Sequence, residues 1–347
     1  MTVSANQQGR GRINARIAAI ATHLPDRVLG NDELAALFPA WPADKILDKT
    51  GIRERRIAAP DETATDLAYA AALKLLERDP SARERIDFVI LCTQAPDFVL
   101  PTSACLLQDR LGLSRRVGAF DMNLGCSGFV YGLSIAGGLI AAGLAANVLL
   151  LTADTYSKYI HERDKSVRTL FGDGAAATLI SRDDRAGIGP FVFGTDGSGS
   201  GDLIVETGGF RTLRSPDTAA EITDATGNVR SRDHLFMHGG NVLNFTLQEV
   251  PGTYRELLDR TGWTSAEVRH VVLHQANKFM LDALQKKLQI APEKLPRRYE
   301  LIGNTVSSTI PFVLEELQDR GQLGPGTRLF LIGFGVGLSW AGAAVEY

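Results

Sequence analysis

The strongest constraint on the fold of this chain is a set of short apolar runs separated by segments with helical spacing. The runs are rich in Val, Ile and Leu and are apolar almost throughout. Strands that are apolar on both faces are covered on both sides, as in layered α/β proteins. The runs lie at residues 88–91, 148–151, 177–180, 271–273 and 329–332. This pattern predicts an α/β fold with buried strands.

Two short patterns occur twice, in the same order, along the chain. Residues 90–95 (ILCTQA) resemble residues 272–276 (VLHQA), and residues 171–176 (FGDGAA) resemble residues 340–344 (WAGAA). Each match covers only a few residues, so coincidence is the alternative explanation. Two matches in the same order favour a duplicated α/β unit.

The duplication suggests where the chain divides. We predict a first half over residues 13–185 and a second half over residues 186–347. Residues 1–12 are polar and lack the apolar core of a signal peptide, which predicts a mobile tail. Residues 208–233 have few apolar side chains and many turn formers, which predicts a surface insertion in the second half.

One segment requires a decision about membranes. Residues 122–153 contain no charged residue, and 18 or more such residues can indicate a transmembrane helix. The segment holds six glycines, however, and lacks flanking Lys or Arg anchors. A buried helix of small residues followed by a buried strand fits it better than a membrane span.

The composition excludes several classes of protein. The 37 basic residues are outnumbered by 40 acidic ones, so no excess positive charge is available to neutralise nucleic-acid phosphates. Three cysteines in 347 residues cannot form a disulfide framework, and the odd count favours a reducing compartment such as the cytoplasm. No His or Cys cluster has metal-ligand spacing, and residues 333–337 (GFGVG) do not fit the dinucleotide-binding fingerprint. We expect no nucleic acid, membrane, metal or nucleotide cofactor.

One cysteine lies in a setting typical of a nucleophile. Gly125 and Gly128 flank Cys126 where an extended segment gives way to a helical pattern of small residues. A thiol at a helix N-terminus faces free N–H groups and the positive end of the dipole, which predicts a lowered thiol pKa. The alternative is a buried small apolar residue, the usual role of free cysteine. Cys92, inside a strand pattern, and Cys105, in a helical pattern, fit that alternative better.

A cysteine nucleophile needs a base or a cation as partner. His274 follows the apolar run 271–273, and ligands in α/β folds commonly meet the residues that end strands. Its alternative role is a hydrogen-bonded core histidine. Asn304 begins a helical pattern that runs to Asp319, with Gly321 past its end and an expected kink at Pro311. The alternative for Asn304 is a plain N-cap.

Six short motifs, in sequence order, resemble those of the β-ketoacyl-acyl-carrier-protein synthase III family of condensing enzymes. They are residues 50–57 (TGIRERRI), 125–129 (GCSGF), 171–175 (FGDGA), 274–277 (HQAN), 303–305 (GNT) and 334–337 (FGVG). The resemblance covers nearly the whole chain after residue 12. It implies a thiolase-like, five-layered αβαβα fold built from two similar halves, in a homodimer.

The resemblance also implies a reaction and the residues that carry it. Cys126 accepts an acyl group from a thioester, and His274 and Asn304 stabilise the enolate that a malonyl thioester forms as it loses CO₂. The carbanion then attacks the acyl-cysteine and gives a β-ketoacyl product, with the backbone N–H groups of Cys126 and Val336 as oxyanion hole. Acyl transfer to an oxygen or nitrogen acceptor is the alternative, and a catalytically silent subunit is a third reading.

The family resemblance further implies the partners and nine binding positions. Thioesters of coenzyme A or phosphopantetheine are substrates rather than cofactors, and an acidic acyl carrier protein is the partner. Lys45 stands where the family often has a tryptophan that stacks on coenzyme A, so binding there by the usual route is in question. Leu100 stands where the housekeeping enzyme has phenylalanine, which implies room for chains longer than acetyl in a specialised synthase. The binding positions are Lys45, Lys49, Thr50, Leu100, Lys158, Phe171, Asn277, Lys286 and Lys287.

Overall fold

The computed structural model describes residues 11–347, and its helices and strands alternate along the chain. Up to residue 182 the elements are β1 (Ala15–His23), β2 (Arg27–Gly30), α1 (Asn31–Leu37), α2 (Ala43–Thr50), β3 (Glu54–Ile57), α3 (Ala64–Arg78), α4 (Ala82–Arg85), β4 (Phe88–Cys92), α5 (Ser103–Arg110), β5 (Gly118–Met122), α6 (Gly128–Ala141), β6 (Asn147–Asp154), α7 (Lys165–Arg168) and β7 (Gly174–Arg182). From residue 188 they are β8 (Ile188–Thr195), β9 (Leu203–Ile204), α8 (Pro216–Ala219), β10 (Ile222–Thr223), β11 (Val229–Arg230), β12 (Phe236–Met237), α9 (Gly239–Thr261), β13 (His270–Leu273), α10 (Lys278–Leu288), α11 (Thr309–Asp319), β14 (Arg328–Gly335) and β15 (Ser339–Glu346).

Two main sheets share one strand order. The first sheet runs β1-β7-β6-β4-β5, and the second runs β8-β15-β14-β13. In both, the first three strands pair antiparallel and the next pair is parallel. Strand β4 therefore corresponds to β13 and β7 to β15, the same pairs that the repeated sequence patterns connect. The boundary at residue 185 stays a prediction.

Five layers stack around three apolar clusters. Helices α6 and α11 lie between the two sheets, α3 and α5 cover the outer face of the first sheet, and α9 and α10 cover the outer face of the second. Alternation along the strands produces this layering, because successive side chains point to opposite faces. In β4, Ile90 faces the central layer while Val89 and Leu91 face outward. In β13, Val272 faces the central layer and Leu273 faces outward. The predicted αβαβα fold is confirmed.

The uncharged segment 122–153 forms α6 and β6, as predicted for a buried helix followed by a buried strand. Glycine at position 132 allows the helix to lie close to the sheet, since a Cβ there would come within 2.6 Å of Leu150. Over residues 11–347, the structure contains no helix whose length and hydropathy would let it cross a membrane.

Two predicted surface regions, the insertion at residues 208–233 and the end of the tail at residues 1–12, contact the rest of the protein. The segment 208–233 forms α8, β10 and β11 and is tied to the first half, where Lys165 Nζ lies 2.9 Å from the side-chain oxygen of Asn228. Of the predicted tail, residues 1–10 lie outside the described residues, and Arg12 forms an ion pair of 3.0 Å with Glu346.

The predicted helix start at Asn304 was wrong. Helix α11 begins at Thr309, after a turn in which Val306 has a left-handed backbone with φ +54°. A β-branched residue is strained there, and such strain persists where the surroundings enforce it. Because the helix starts later, Pro311 falls in its first turn, where its missing N–H breaks no helical bond and no kink is needed. Gly321 follows the helix with φ +65°, as expected.

Candidate active site

Cys126 lies on the turn between β5 and α6, and its side chain is buried at 4% exposure. Ser127 is the N-cap and α6 begins at Gly128, so the thiol lies just before a helix N-terminus, as predicted. The opposite wall is the end of β14, where Gly335 faces the sulfur. A Cβ at position 335 would lie 2.8 Å from Sγ of Cys126, which explains the glycine.

The electrostatics of this thiol differ from the prediction. Burial, followed by the negative charge of Asp154, raises the pKa of Cys126 to about 12. The backbone N–H groups of Val336 and of Cys126 itself favour the thiolate and oppose that rise. A helix dipole contributes only about 0.3–1 kcal/mol at ordinary sites, so burial dominates. The prediction of a lowered pKa was therefore wrong, and the resting group is a thiol.

His274 continues the ladder of β13 by one residue, because its backbone N–H donates to the Ile332 carbonyl at 2.9 Å. The imidazole is buried, with Nδ1 at 2.7 Å from the hydroxyl of Thr309 and its ring edge against Phe334 at 5.5 Å between centroids. Burial lowers the pKa of His274 to about 3. The imidazole is therefore neutral at physiological pH and can carry a single N–H.

Asn304 is held by backbone bonds to the segment beside it. Its N–H donates to Leu170 and its carbonyl accepts from Gly172, at 2.9 and 3.0 Å. The side-chain oxygen accepts from the Val306 N–H at 2.9 Å, and the N-cap of α11 is Ser308 instead. The plain N-cap alternative was therefore wrong. Because the side-chain oxygen already accepts the hydrogen bond from Val306, the amide N–H groups of Asn304 remain to donate to a bound molecule.

These three side chains line one cavity of about 480 Å³, which we call the first cavity. Other predicted residues line it as well. They are Lys49, Phe171 and Asn277. Asn277 is the N-cap of α10, accepting from the Met280 N–H at 2.9 Å. The arrangement provides a thiol, a neutral imidazole and an amide on the wall of one mainly apolar cavity.

A second cavity of about 740 Å³ lies on the other side of the β14 end. Phe334 and Gly335 line the first cavity, whereas Val336 and Gly337 line the second. Leu203 lines both. Cys126 itself lines the first cavity, and three residues of the second cavity pack in the same cluster as Cys126, namely Tyr156, Leu203 and Leu235.

Three predicted binding residues near α2 and α7 do not line the first cavity. Lys45 donates to the Ala40 carbonyl and lies 5.1 Å from the ring centroid of Trp41. Thr50 is buried, and its hydroxyl bonds backbone atoms around the end of α2. Lys158 donates to the carbonyls of two residues before α3, at 3.1 and 2.8 Å. Their predicted roles stay predictions.

Three others lie on the surface. Lys286 and Lys287 are exposed near the end of α10. Leu100 is 79% exposed on the loop between β4 and α5 and does not line either cavity of its own chain. A role for Leu100 in the acyl pocket would have to come from a neighbouring copy, as the resemblance implies.

Sequence reasoning missed two groups that contact the site. Asp154 ends β6, is fully buried, and accepts from the Ser307 hydroxyl at 2.5 Å and from the Gln94 N–H at 2.9 Å. Burial raises its pKa to about 7. Its position at a strand end is the same signal that identified His274. Thr309 carried no comparable signal, since it lies inside a helical pattern.

Comparison with known proteins agrees with this geometry. Residues 258–347 match the family model for the C-terminal part of 3-oxoacyl-[acyl-carrier-protein] synthase III, and residues 120–197 match the model for that synthase itself. A β-ketoacyl-[acyl-carrier-protein] synthase III of Deinococcus deserti is 35% identical, over 97% of this chain and 92% of the relative. This chain belongs to the β-ketoacyl-acyl-carrier-protein synthase III family.

Solved structures agree in fold along the whole length. A 3-oxoacyl-(acyl-carrier-protein) synthase III at 59% identity has a TM-score of 0.95, covering 96% of this chain and 100% of that one. A 3-oxoacyl-(acyl-carrier-protein) synthase from Burkholderia xenovorans, at 36% identity, has a TM-score of 0.89 and coverages of 96% and 94%. The predicted class, a condensing acyltransferase that works by decarboxylative condensation, is confirmed. Transfer to an oxygen or nitrogen acceptor is not favoured.

Proposed function

We propose that this synthase III carries its acyl primer on Cys126 and condenses it with a malonyl thioester delivered by an acyl carrier protein. The observation that carries this assignment is the convergence of Cys126, His274 and Asn304 on the first cavity. The reaction needs no resident cofactor, because coenzyme A or phosphopantetheine thioesters supply the activated carbon. The cytoplasm is the expected compartment.

In the first half-reaction, Sγ of Cys126 bonds to the thioester carbonyl carbon. The bond from that carbon to the donor sulfur breaks, and the thiol proton passes to the departing sulfur. The N–H groups of Cys126 and Val336, which favour negative charge at the sulfur, are suited to stabilise the oxyanion of this step. The raised pKa of the thiol implies that deprotonation accompanies attack instead of preceding it.

In the second half-reaction, the malonyl thioester loses CO₂ and its carbonyl oxygen gains negative charge. The side-chain amide of Asn304 and the Nε2–H of a neutral His274 are suited to donate to that oxygen. We assign the Thr309 hydroxyl as donor in its 2.7 Å contact with Nδ1, because its contact with the Val306 carbonyl is longer, at 3.2 Å. That assignment leaves the imidazole proton on Nε2.

The carrier protein is proposed to bind near α10. This helix presents Lys286 and Lys287 to solvent, while its N-cap residue Asn277 lines the first cavity. An acidic carrier bound along α10 would be near the route by which its phosphopantetheine arm reaches Cys126.

A homodimer is proposed from an exposed apolar loop. Phe98, Val99 and Leu100 are 56%, 79% and 79% exposed and are consecutive in the chain. Contiguous exposed apolar side chains of this kind mark interaction surfaces. A second copy covering this loop would bury it and could bring Leu100 to the partner's acyl pocket.

Intact-mass analysis tests the proposal. Incubation with an acyl-coenzyme A should add one acyl group to the wild type and none to Cys126→Ser, since an alcohol without an adjacent base is a poor nucleophile. Labelled CO₂ should then be released from malonyl-carrier protein. An acylated enzyme that never releases CO₂ would be a transferase, and acylation of Cys126→Ser at the wild-type rate would contradict the assignment.

A further inference from the structure

The second cavity is lined by polar and apolar groups in similar measure, unlike the mainly apolar first cavity. Seven of its lining residues bear hydroxyl, amide or guanidinium groups, together with apolar residues such as Leu203 and Leu235. The seven are Gln94, Asn123, Tyr156, Tyr159, Ser200, Thr207 and Arg214. An alkyl chain placed against the Arg214 guanidinium and the Asn123 amide protons, which have no partner among the described residues, would remove them from water and offer no hydrogen bonds in return, which is unfavourable.

Part of this polar lining is a preformed network. The Tyr156 hydroxyl donates to Oε1 of Gln94 at 2.5 Å, and Nε2 of Gln94 donates to Oδ1 of Asn123 at 3.1 Å. The Tyr159 hydroxyl donates to the Gln94 carbonyl at 2.8 Å. Among the described residues, Asn123 forms no other side-chain hydrogen bond, so both of its amide protons are free to donate.

The single charged group of this lining is Arg214. Within residues 11–347 it forms no salt bridge and no hydrogen bond. Burial, followed by the charge of Asp154, raises the pKa of Tyr159, and the positive charge of Arg214 opposes that rise. The Thr207 hydroxyl, together with the charge of Arg214, lowers the pKa of Asp233. The carboxylate of Asp233, however, accepts its hydrogen bond from the Thr207 hydroxyl, at 2.6 Å. Arg214 is an exposed residue, so within the described part of the chain the protein supplies a solvent-accessible planar cation without an ion-pair partner on the lining of this cavity.

We propose that the acyl primer ends in a carboxylate, so that the donor is a thioester of a dicarboxylic acid and Arg214 with Asn123 binds its far end. Guanidinium groups match carboxylates through two parallel hydrogen bonds, and the amide of Asn123 adds a neutral donor. Val336 lines the second cavity and follows Gly335, which faces the Cys126 sulfur. Three residues of this cavity pack in the same cluster as Cys126, namely Tyr156, Leu203 and Leu235. The inference rests on the proposed function, because it places the acyl chain of acyl-Cys126 in this cavity.

Chain length enters the test because the acyl group must span from the sulfur to the guanidinium. The measurement is kcat/KM for release of coenzyme A, with succinyl-, glutaryl-, adipyl- and suberyl-coenzyme A. The matched substrates are the monomethyl ester of each diacid thioester and the straight-chain acyl thioester with the same number of carbons. Wild-type enzyme should prefer at least one diacid over both matched substrates by about tenfold or more, as expected for a charge-assisted hydrogen bond.

Two variants test whether Arg214 is the group that causes the preference for diacid thioesters. Arg214→Gln should lower the ratio of diacid to straight-chain kcat/KM by about tenfold or more. Arg211→Gln, an exposed arginine of the same loop that does not line the cavity, should leave that ratio unchanged. The wild-type comparison of free acid with methyl ester needs no variant, so a poorly folded Arg214→Gln would not decide the outcome.

Two results separate this inference from the proposed function. If straight-chain thioesters acylate Cys126 better than every diacid thioester and its methyl ester, the carboxylate inference is wrong while the condensing reaction stands. If no thioester acylates Cys126, both are wrong. A diacid preference that Arg214→Gln leaves intact would also overturn the role given to Arg214.

Discussion

Replacing Thr309 by valine tests how the imidazole of His274 is prepared for decarboxylation. Thr309 is completely buried and its hydroxyl lies 2.7 Å from Nδ1 of His274, which is itself buried at 2% exposure. Valine has nearly the same shape but cannot donate. The Nδ1 atom would then either lack a partner or take the proton that Nε2 needs for the enolate oxygen.

The expected effect follows from the cost of an unsatisfied buried group. Leaving one such donor or acceptor without a partner costs about 1–3 kcal/mol. If this cost raises the activation free energy of decarboxylation, the rate falls by roughly 5- to 150-fold. CO₂ release should fall by that factor in Thr309→Val. Acylation should change little, because the Cys126 and Val336 N–H groups, not His274, face the acyl oxygen in that step. Thr309→Ser, which keeps the hydroxyl, should retain most of the activity.

The assay measures labelled CO₂ release and intact-mass acylation on the same preparations. Thr178→Val is the matched control, since Thr178 is equally buried and its hydroxyl has no hydrogen-bond partner among the described residues. Nitrogen chemical shifts of the His274 ring would report the tautomer directly. Wild-type CO₂ release from Thr309→Val, or a proton on Nδ1 in the wild type, would refute the reasoning.

Three other predictions follow from the site. Because the pKa of Cys126 is about 12, its thiolate fraction and its alkylation by iodoacetamide should rise about tenfold per pH unit from pH 6 to 9; a plateau near pH 8 would contradict this. Asn304→Ala should keep acylation and lose ~10²–10³ in CO₂ release, by analogy with other oxyanion donors, and the reverse pattern would exclude that role. Lys286→Glu with Lys287→Glu should slow carrier-bound substrates in a salt-sensitive manner; equal slowing of small thioesters would refute carrier binding there.

Much of the layered fold is predictable because the buried strands are apolar on both faces. A search for runs of Val, Ile and Leu misses β15, because Gly342 and its neighbouring alanines have low strand preference. This strand is nevertheless buried between β14 and β8. Tertiary pairing, not local preference, makes it a strand. The start of α11 is misplaced for a similar reason, because the backbone around Asn304 pairs with Phe171, a residue distant in sequence.

The site is predictable in its residues but not in its electrostatics. Cys126, His274 and Asn304 are marked by local motifs, whereas the pKa values of the thiol and the imidazole depend on burial that only the assembled fold creates. The same limit applies to Arg214. Its sequence neighbourhood is that of a polar surface segment, and only the folded chain places it on the second cavity.

The relative placement of nucleophile and donors depends on polar contacts between the two halves. Cys126 comes from the first half, while His274 and Asn304 come from the second, so any sliding of one half over the other would separate them. Apolar layers resist separation but specify lateral position poorly, because dispersion and hydrophobic contacts are not directional. Buried hydrogen bonds are directional and costly to leave unmade.

Such bonds join the halves next to the site. Ser127, the neighbour of Cys126, shares a hydrogen bond of 2.7 Å with Ser339, whose hydroxyl also donates to the Val336 carbonyl at 2.9 Å. Asp154 accepts from the Ser307 hydroxyl, three residues beyond Asn304. The turn that carries the thiol is thereby bonded to the segment that carries Val336, whose N–H is the proposed oxyanion-hole donor. We infer that these buried hydroxyls, of which only Ser127 lies within one of the six motifs, set the distance between the sulfur and its donors.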